Sequence, residues 1–158
     1  MADISSCVVD TSVIIKALFS PSWRHAGTTY SREMKTHKTC INLLSVLDES
    51  GTEFFLPLCG IIEIAAVSGR LADPHGAEEI CNEIESRYTI VPEEQIIKTA
   101  KTIALSEGCP GFDTYFIALA EQESLPLFTD DLGMHQVCEK RKISSRLVRE
   151  LDPATLSP

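Results

Sequence analysis

The chain alternates short apolar runs with longer amphipathic segments, and this alternation predicts an α/β fold. Runs rich in Val, Ile, Leu and Phe predict strands, and apolar residues spaced three or four apart predict helices. The predicted strands are residues 6–9, 53–56, 88–91, 125–129 and about 143–148. The predicted helices lie at about 11–20, 25–49, 59–68, 73–87, 92–107, 113–124 and 131–140. Strands alternating with helices over short links predict one domain, residues 1–158, an α/β/α sandwich around a parallel sheet of four to five strands.

Acidic residues stand where such a sheet places its functional groups. Asp10 directly follows the first predicted strand, and Asp130 and Asp131 follow the fourth. Asp113 opens the helix that leads into the fourth strand, and Glu63 lies within the helix after the second. Ligands of parallel sheets bind at the carboxyl ends of the strands, so we expect these carboxylates to meet there. Carboxylates this close repel one another unless a cation balances them, and a set of oxygen ligands selects Mg²⁺ or Mn²⁺. The pattern predicts a site for phosphoryl or phosphodiester transfer.

Each acid also has an ordinary structural interpretation. Asp113 would be a helix N-cap, with Phe112 and Ile117 packing as a hydrophobic staple. Glu63 stands in a segment that is apolar on all sides, which is typical of a buried helix. A carboxylate there needs a basic partner, a metal or a helix edge in water. The remaining acids suit helix N-termini, where negative charge is favourable: Asp10, Asp130 and Asp131.

Four short segments carry the acids in a recognisable order. Residues 8–14 read Val-Val-Asp-Thr-Ser-Val-Ile, and Glu63 lies in a helix after the second strand. Residues 111–120 read Gly-Phe-Asp-Thr-Tyr-Phe-Ile-Ala-Leu-Ala, and residues 127–131 read Leu-Phe-Thr-Asp-Asp. Together, over residues 7 to about 134, these segments resemble the motifs of the PIN domain, the ribonuclease fold of VapC-type toxins.

The resemblance implies a metal-dependent endoribonuclease that leaves a 5′-phosphate and a 3′-hydroxyl. Its catalytic and metal-binding acids would be Asp10, Glu63, Asp113 and Asp131, supported by the hydroxyls of Ser12 and Thr129. The implied cofactor is Mg²⁺ or Mn²⁺. The implied partners are an RNA substrate, an antitoxin protein and a second copy of the chain, docked through apolar helix faces of residues 25–49.

Two positions depart from the PIN-domain pattern. The residue before the last acid is commonly Asn, whereas here it is Asp130, which makes Asp130 a further candidate for the metal site. The interval between Asp10 and Glu63 is also long. It contains an enlarged helical region at about 22–50, which we interpret as an insertion that binds substrate or a partner.

The charge of the chain limits how it can hold RNA. Fourteen basic and 23 acidic residues give a net charge of −9, which argues against a broad basic surface for nucleic acid. Lys16, one turn after Asp10, and Arg24, beside Trp23, are candidate contacts to RNA phosphates. Two clusters have two interpretations each, RNA contact or solvated helix surface: Arg32, Lys35 and Lys38, and Lys140, Arg141, Lys142, Arg146 and Arg149.

Several classes of protein do not fit the sequence. No apolar run reaches the ~18 residues that a membrane helix needs, and the N-terminus lacks the basic and apolar regions of a secretion signal. The six cysteines show neither zinc-site spacing nor the density of a disulfide scaffold. They are interpreted as small buried side chains in a reducing cytoplasm.

Three alternative functions were weighed against the nuclease. A haloacid-dehalogenase-like phosphatase needs Asp-x-Asp, but the chain has Asp10-Thr11-Ser12. A phospho-acceptor signalling domain needs an acidic pair near the first strand, where Ser5 and Ser6 stand instead. A catalytically inactive PIN-like module that binds RNA or protein remains open, although all four acids are present.

Overall fold

Five parallel strands form the central sheet of the computed structural model, which describes residues 4–22 and 28–152. The strands are β1 (Ser6–Val9), β2 (Glu53–Pro57), β3 (Tyr88–Val91), β4 (Leu127–Thr129) and β5 (Ser145–Leu147). The helices are α1 (Thr11–Leu18), α2 (Thr28–Glu49), α3 (Leu58–Leu71), α4 (Pro74–Arg87), α5 (Glu93–Glu107), α6 (Gly111–Glu123) and α7 (Leu132–Arg141), and a 3₁₀ turn covers Val148–Glu150. The predicted α/β fold class is therefore confirmed, including the short fifth strand.

The order of the strands determines where a ligand can bind. The sheet runs β3-β2-β1-β4-β5, so β1 lies in the centre. On β1, Val8 pairs with Phe55 of β2 on one side and with Leu127 of β4 on the other. The chain builds outwards from β1 through β2 to β3 and then crosses to β4. The reversal between β1 and β4 is the switch point at which doubly wound sheets bind their ligands. Phospho-acceptor signalling domains have the order 2-1-3-4-5, so this alternative is excluded.

The short strands are continuous apolar runs because helices cover both faces of the sheet. Both faces of β1 are covered, and Cys7, Val8 and Val9 have no exposed surface. Helix α6 packs against β1 and β2. Its fully buried residues include Phe116, Ile117 and Leu119. Because α6 is held this firmly, its first turn has a defined position beside the carboxyl end of β1.

Helix α6 begins earlier than the sequence predicted. Its first residue is Gly111, and Pro110 occupies the N-cap position with an extended backbone. Asp113 therefore lies inside the first turn, and the expected N-cap at Asp113 is wrong. Phe112 is 67% exposed, so it forms no hydrophobic staple with Ile117. The fixed φ of proline suits the residue that precedes a helix. Pro110 therefore starts α6 three residues before the predicted start.

Helix α3 is amphipathic rather than buried on all sides. It extends three residues beyond the predicted end at residue 68, to Leu71. Ile61 and Ile64 are buried, whereas Ile62 is 66% exposed and Glu63 is exposed beside it. The expectation of a buried helix around Glu63 is therefore wrong. The apolar composition of a helix shows how much surface it can bury, but the elements that pack against the helix decide how much surface is buried.

A contact from another helix fixes the start of α3. Its N-cap residue, Pro57, offers no side-chain acceptor to the first free amides. The carboxylate of Glu93, in the first turn of α5, accepts a hydrogen bond from the backbone N–H of Cys59 instead. An acid at a helix N-terminus also interacts favourably with the helix dipole. This contact helps to place the helix that carries Glu63.

The cysteines behave largely as the sequence predicted. Burial raises the pKa of four of these thiols to about 12, so they stay protonated: Cys7, Cys40, Cys59 and Cys138. Cys81 and Cys109 are partly exposed, and all six cysteines are free. Across the described ranges, no helix combines the length and the apolar character needed to cross a bilayer.

We predict opposite effects on stability from alanine at two glycines of α3. A Cβ on Gly60 would lie 2.8 Å from Cδ1 of buried Leu56 and 3.3 Å from Phe116. Overpacking of this kind costs about 1–3 kcal/mol, more than the gain of up to about 1 kcal/mol from helix propensity. Gly60→Ala should therefore lower the urea midpoint of unfolding.

The matched control for this prediction is Gly69→Ala. A Cβ at Gly69 meets nothing within 4 Å, so the variant should gain about 0.5–1 kcal/mol from reduced backbone entropy in the unfolded chain. An unchanged or raised midpoint for Gly60→Ala would show that α3 does not approach α6 as closely as described.

Candidate acidic site

Asp10 is placed by the pairing of the two central strands. Its backbone N–H donates to the carbonyl of Phe128 at 2.9 Å, which extends the β1–β4 ladder to its last residue. Asp10 is also the residue before α1, and its carbonyl accepts from Val13 in the first turn. The side chain is only 4% exposed. The end of β1 thus fixes a buried carboxyl at the switch point of the sheet.

Hydroxyl groups hold one oxygen of Asp10. Ser12 Oγ and Thr129 Oγ1 both donate to Oδ2, the latter at 2.7 Å. The other oxygen, Oδ1, is approached by Thr11 Oγ1 at 3.4 Å, which is too long for a strong hydrogen bond. The supporting roles predicted for Ser12 and Thr129 thus correspond to direct contacts with Asp10. Because the two hydroxyls occupy Oδ2, Oδ1 is the oxygen left available to a ligand.

Thr11 connects Glu63 to the same site. Its hydroxyl donates to Glu63 Oε2 at 2.6 Å, across 52 residues of sequence. The hydroxyl carries one hydrogen, and the short distance shows that it points to Glu63 rather than to Asp10. Thr11 was not singled out from the sequence. The available signal was that a second hydroxyl residue follows Asp10 directly, next to Ser12.

Asp131 is held by the turn that leaves β4. Its backbone N–H donates to Thr129 Oγ1 at 2.9 Å, so the hydroxyl that donates to Asp10 also orients Asp131. One carboxylate oxygen, Oδ1, accepts from the N–H of Met134 at 2.7 Å and caps α7. The predicted capping role of Asp131 is thus confirmed. Capping uses one oxygen and leaves Oδ2 for other contacts.

The pKa of Asp113 reports how close the four acids lie. Burial, followed by the charges of Asp131, Asp10 and Glu63 in that order, together raise this pKa from 3.8 to about 6. The pKa of Asp10 is likewise raised, first by burial and then by the charge of Glu63, against the effect of its hydroxyl donors. The fold therefore brings all four predicted acids into one electrostatic cluster.

Asp130 is as buried as Asp10 but is stabilised differently. It forms ion pairs with Lys16 and with Arg149, whose Nε lies 2.8 Å from Oδ1. Burial opposes ionisation, but the hydrogen bonds and charges of Arg149 and Lys16 keep the pKa of Asp130 below its usual value. Because Lys16 and Arg149 balance its charge, Asp130 is less suited to bind a cation than Asp131, which makes no ion pair with a described residue.

The four acids themselves make no ion pair with any described residue. Carboxylates that repel one another, of which Asp10 is buried and Asp113 half-buried, are a donor set suited to a hard divalent cation. The placed side chains do not form a ready-made cage, since no three His, Cys, Asp or Glu groups in residues 4–22 and 28–152 are arranged to hold a metal. Mg²⁺ commonly uses one or two carboxylates and keeps its waters, so the donor set fits this ion without a closed cage.

Most of the predicted RNA contacts have acidic partners within the protein. Lys16 pairs with Asp130 and also with Glu33 at 3.2 Å. At the end of α7, Arg141 forms a fork with Glu121. The neighbouring Lys140 pairs with Glu107 at 2.6 Å. The charges of these three cations are thus balanced by acids of the same chain. Arg24 and Trp23 lie outside the described residues.

Comparison with known proteins confirms the fold. No family model matches the chain, and no curated protein matches its sequence. The crystal structure of FitAcB from Neisseria gonorrhoeae is similar at TM-score 0.58 and 17% identity, over 92% of this chain and 99% of that one. PAE2754 from Pyrobaculum aerophilum is similar at TM-score 0.52 and 14% identity, over 98% of this chain and 90% of that one. The resemblance to PIN domains is thus confirmed at the level of fold.

We predict that the Asp113 carboxyl titrates near pH 6 in the metal-free protein, which carbon-detected NMR of the side chain can measure. Asp131→Asn should lower this pKa more than Glu63→Gln, because Asp131 is the larger of the two charge effects. The control is Glu123→Gln, an exposed acid at the far end of α6, which should leave the pKa unchanged. A wild-type value near 4 would contradict the clustering of the acids.

The same shift predicts a pH dependence of stability. Since the pKa of Asp113 is higher in the folded chain, the folded protein keeps a proton that the unfolded chain releases. Its contribution to the free energy of unfolding therefore falls as the pH rises from about 4 to about 6. Urea unfolding in the presence of a chelator should show wild type losing stability relative to Asp113→Asn over this range. A difference that stays constant with pH would contradict the prediction.

Proposed function

We propose that the chain is a Mg²⁺- or Mn²⁺-dependent endoribonuclease that hydrolyses RNA phosphodiester bonds at Asp10, Glu63, Asp113 and Asp131. The carrying observation is the pKa of Asp113, raised to about 6 by burial and by the three other carboxylates. Four acids from four separate elements influence one another at the switch point and form no ion pair with a described residue. A fold that concentrates negative charge in this way is suited to binding cations and, through them, phosphate.

The chemistry divides between the cation and the side chains. A divalent ion would supply Lewis-acid polarisation of the scissile phosphate and acidify an attacking water. Asp10 would bind it through Oδ1, the oxygen that the Ser12 and Thr129 hydroxyls leave open. Glu63 or Asp131 would supply a second carboxylate or hold the waters of the ion, the first oriented by Thr11 and the second by Thr129.

Asp113 is suited to moving the proton. A general base works best when its pKa lies near the working pH. The Asp113 carboxylate, with a pKa of about 6, would orient the water and accept its proton. This division gives the other three acids to the cation and its bound waters, and Asp113 to proton transfer.

The charge distribution indicates how RNA would be held. With Lys16, Lys140 and Arg141 bound to acids of the protein itself, the phosphate backbone would be gripped mainly at the cation. The acidic surface that remains would suit a basic partner protein. The resemblance to VapC-type toxins supports a toxin with a cognate antitoxin and a homodimeric state, and an RNA-processing nuclease without an antitoxin is the alternative role.

A catalytically inactive PIN-like module is the second candidate. Its supporting observation is that no three metal-ligating side chains of the described chain are placed to hold an ion. The two candidates differ in a simple property, since the module would bind RNA or a protein partner and leave RNA intact with or without a divalent ion.

We predict that Asp10→Asn abolishes cation-dependent cleavage of transfer and ribosomal RNA while leaving the fold intact. The amide keeps the shape of Asp10 but removes the charge, so the loss in rate should be at least about 100-fold. Binding of Mn²⁺, followed by electron paramagnetic resonance, should weaken in parallel. Cleavage by wild type should stop when a chelator is added.

The control for this test is Glu123→Gln, which removes an exposed acid of α6 and should keep full activity. Equal cleavage by Asp10→Asn, or cleavage that persists in the chelator, would rule out the proposed site. Binding of RNA without cleavage under all conditions would favour the inactive module.

A further inference from the structure

Each of the two carboxylate oxygens of Asp130 accepts two hydrogen bonds. Oδ1 accepts from Arg149 Nε at 2.8 Å and from the Arg149 backbone N–H at 3.2 Å. Oδ2 accepts from Arg149 Nη2 at 3.1 Å and from Lys16 Nζ. Arg149 Nη2 also donates to the backbone carbonyl of Asp130. The guanidinium therefore grips both the side chain and the main chain of one residue.

Arg149 is itself firmly placed. It lies in the 3₁₀ turn that follows β5, and the preceding residue, Val148, is fully buried in the core. Leu151, two residues further on, packs against the same core. The Arg149 backbone is thus a fixed point from which its side chain reaches the turn after β4.

Two short paths lead from Asp130 to the acidic site. The backbone N–H of Asp130 donates to Ser12 Oγ at 3.0 Å, and Ser12 donates to Asp10. In the other direction, the next residue is Asp131, whose N–H is bound to Thr129. A shift of the main chain at Asp130 would therefore move the support of Asp10 and the position of Asp131 together.

We propose that Arg149 is a positioning residue of the acidic site, which acts through Asp130 to hold the turn that carries Asp131. This inference rests on the proposed nuclease function and deepens it. Groups that orient the ligands of a metal commonly contribute 10- to 100-fold to affinity or activity. Arg149 occupies such a place, and removing it would also leave a buried carboxylate with only Lys16 as its partner, which is costly.

A direct contact between Arg149 and RNA is the competing role. The side chain is 41% exposed, so part of it can reach solvent. However, its Nε, its Nη2 and its backbone N–H are all bound to Asp130. The geometry favours positioning, and the two roles differ in which kinetic constant they affect.

The test compares Arg149→Gln, Arg149→Lys and Arg70→Gln for kcat, KM for RNA and the half-saturating Mn²⁺ concentration. For Arg149→Gln we expect kcat to fall, and half-saturation to rise, by roughly 10- to 100-fold, with KM unchanged. Arg149→Lys keeps the charge but loses the fork, so it should recover part of the loss. Arg70, an exposed arginine of α3 without an ion pair in the described chain, controls for lost charge. Its variant should match wild type.

A double variant tests whether the effect passes through Asp130. If it does, Asp130→Asn combined with Arg149→Gln should be no worse than Asp130→Asn alone, because both changes break the same interaction. Losses that multiply would overturn the proposal. A raised KM with unchanged kcat and Mn²⁺ half-saturation would also overturn it, in favour of an RNA contact.

A measurement without metal or RNA separates this inference from the proposed function. Arg149→Gln should speed amide hydrogen exchange at Asp130 and Asp131 relative to amides of β1, at a denaturant concentration well below the unfolding midpoint. Unchanged exchange would overturn the positioning role. Failure of wild type to bind Mn²⁺ or cleave RNA would instead overturn the nuclease, while the exchange result would still decide the role of Arg149.

Discussion

The pairing of β1 with β4 is the constraint on which the candidate site depends. These strands are neighbours in the sheet although more than a hundred residues separate them. Val9 lies opposite Phe128, and the ladder ends where Asp10 donates to the carbonyl of Phe128. Since the two strands are parallel, the residues that follow this last pair, Asp10 and Thr129, lie side by side. Asp10 and Thr129 are therefore brought within hydrogen-bond distance by backbone pairing alone.

Two buried aspartates beside this ladder show two solutions to the same electrostatic problem. Asp10 and Asp130 are 4% and 3% exposed, and burial penalises the charged form of both. Asp130 is balanced by Arg149 and Lys16, and its pKa lies below the usual value. Asp10 has hydroxyl and backbone donors without a basic partner, lies near the charges of Glu63 and Asp113, and has a raised pKa. Asp130 and Asp10 are thus equally buried and differ in their partners, which balance the charge of Asp130 and leave the charge of Asp10 unbalanced.

Hydroxyl side chains link the acids without neutralising them. Thr11 holds Glu63, and Thr129 bridges Asp10 and Asp131. A lysine in either place would cancel the charge that a cation requires, whereas a hydroxyl orients a carboxylate and leaves its charge in place. The carboxylates of the cluster therefore repel one another, and a bound divalent ion would reduce this repulsion. This electrostatic effect connects the fold with the nuclease proposed for it. The similarity to FitAcB and PAE2754 supports the fold on which this arrangement is built.

The sequence by itself determined the strands, most helix boundaries and the four acids, because apolar periodicity, Pro and Gly act over a few residues. It also placed Asp10 and Asp131 at strand ends, since those positions follow directly from where β1 and β4 stop. Only the tertiary structure decided which acids carry a balancing charge. Asp130 and Lys16 are 114 residues apart, and nothing local distinguishes Asp130 from Asp131. The exposure of Glu63 on an apolar helix was likewise decided by packing, because burial depends on neighbours that the local sequence does not name.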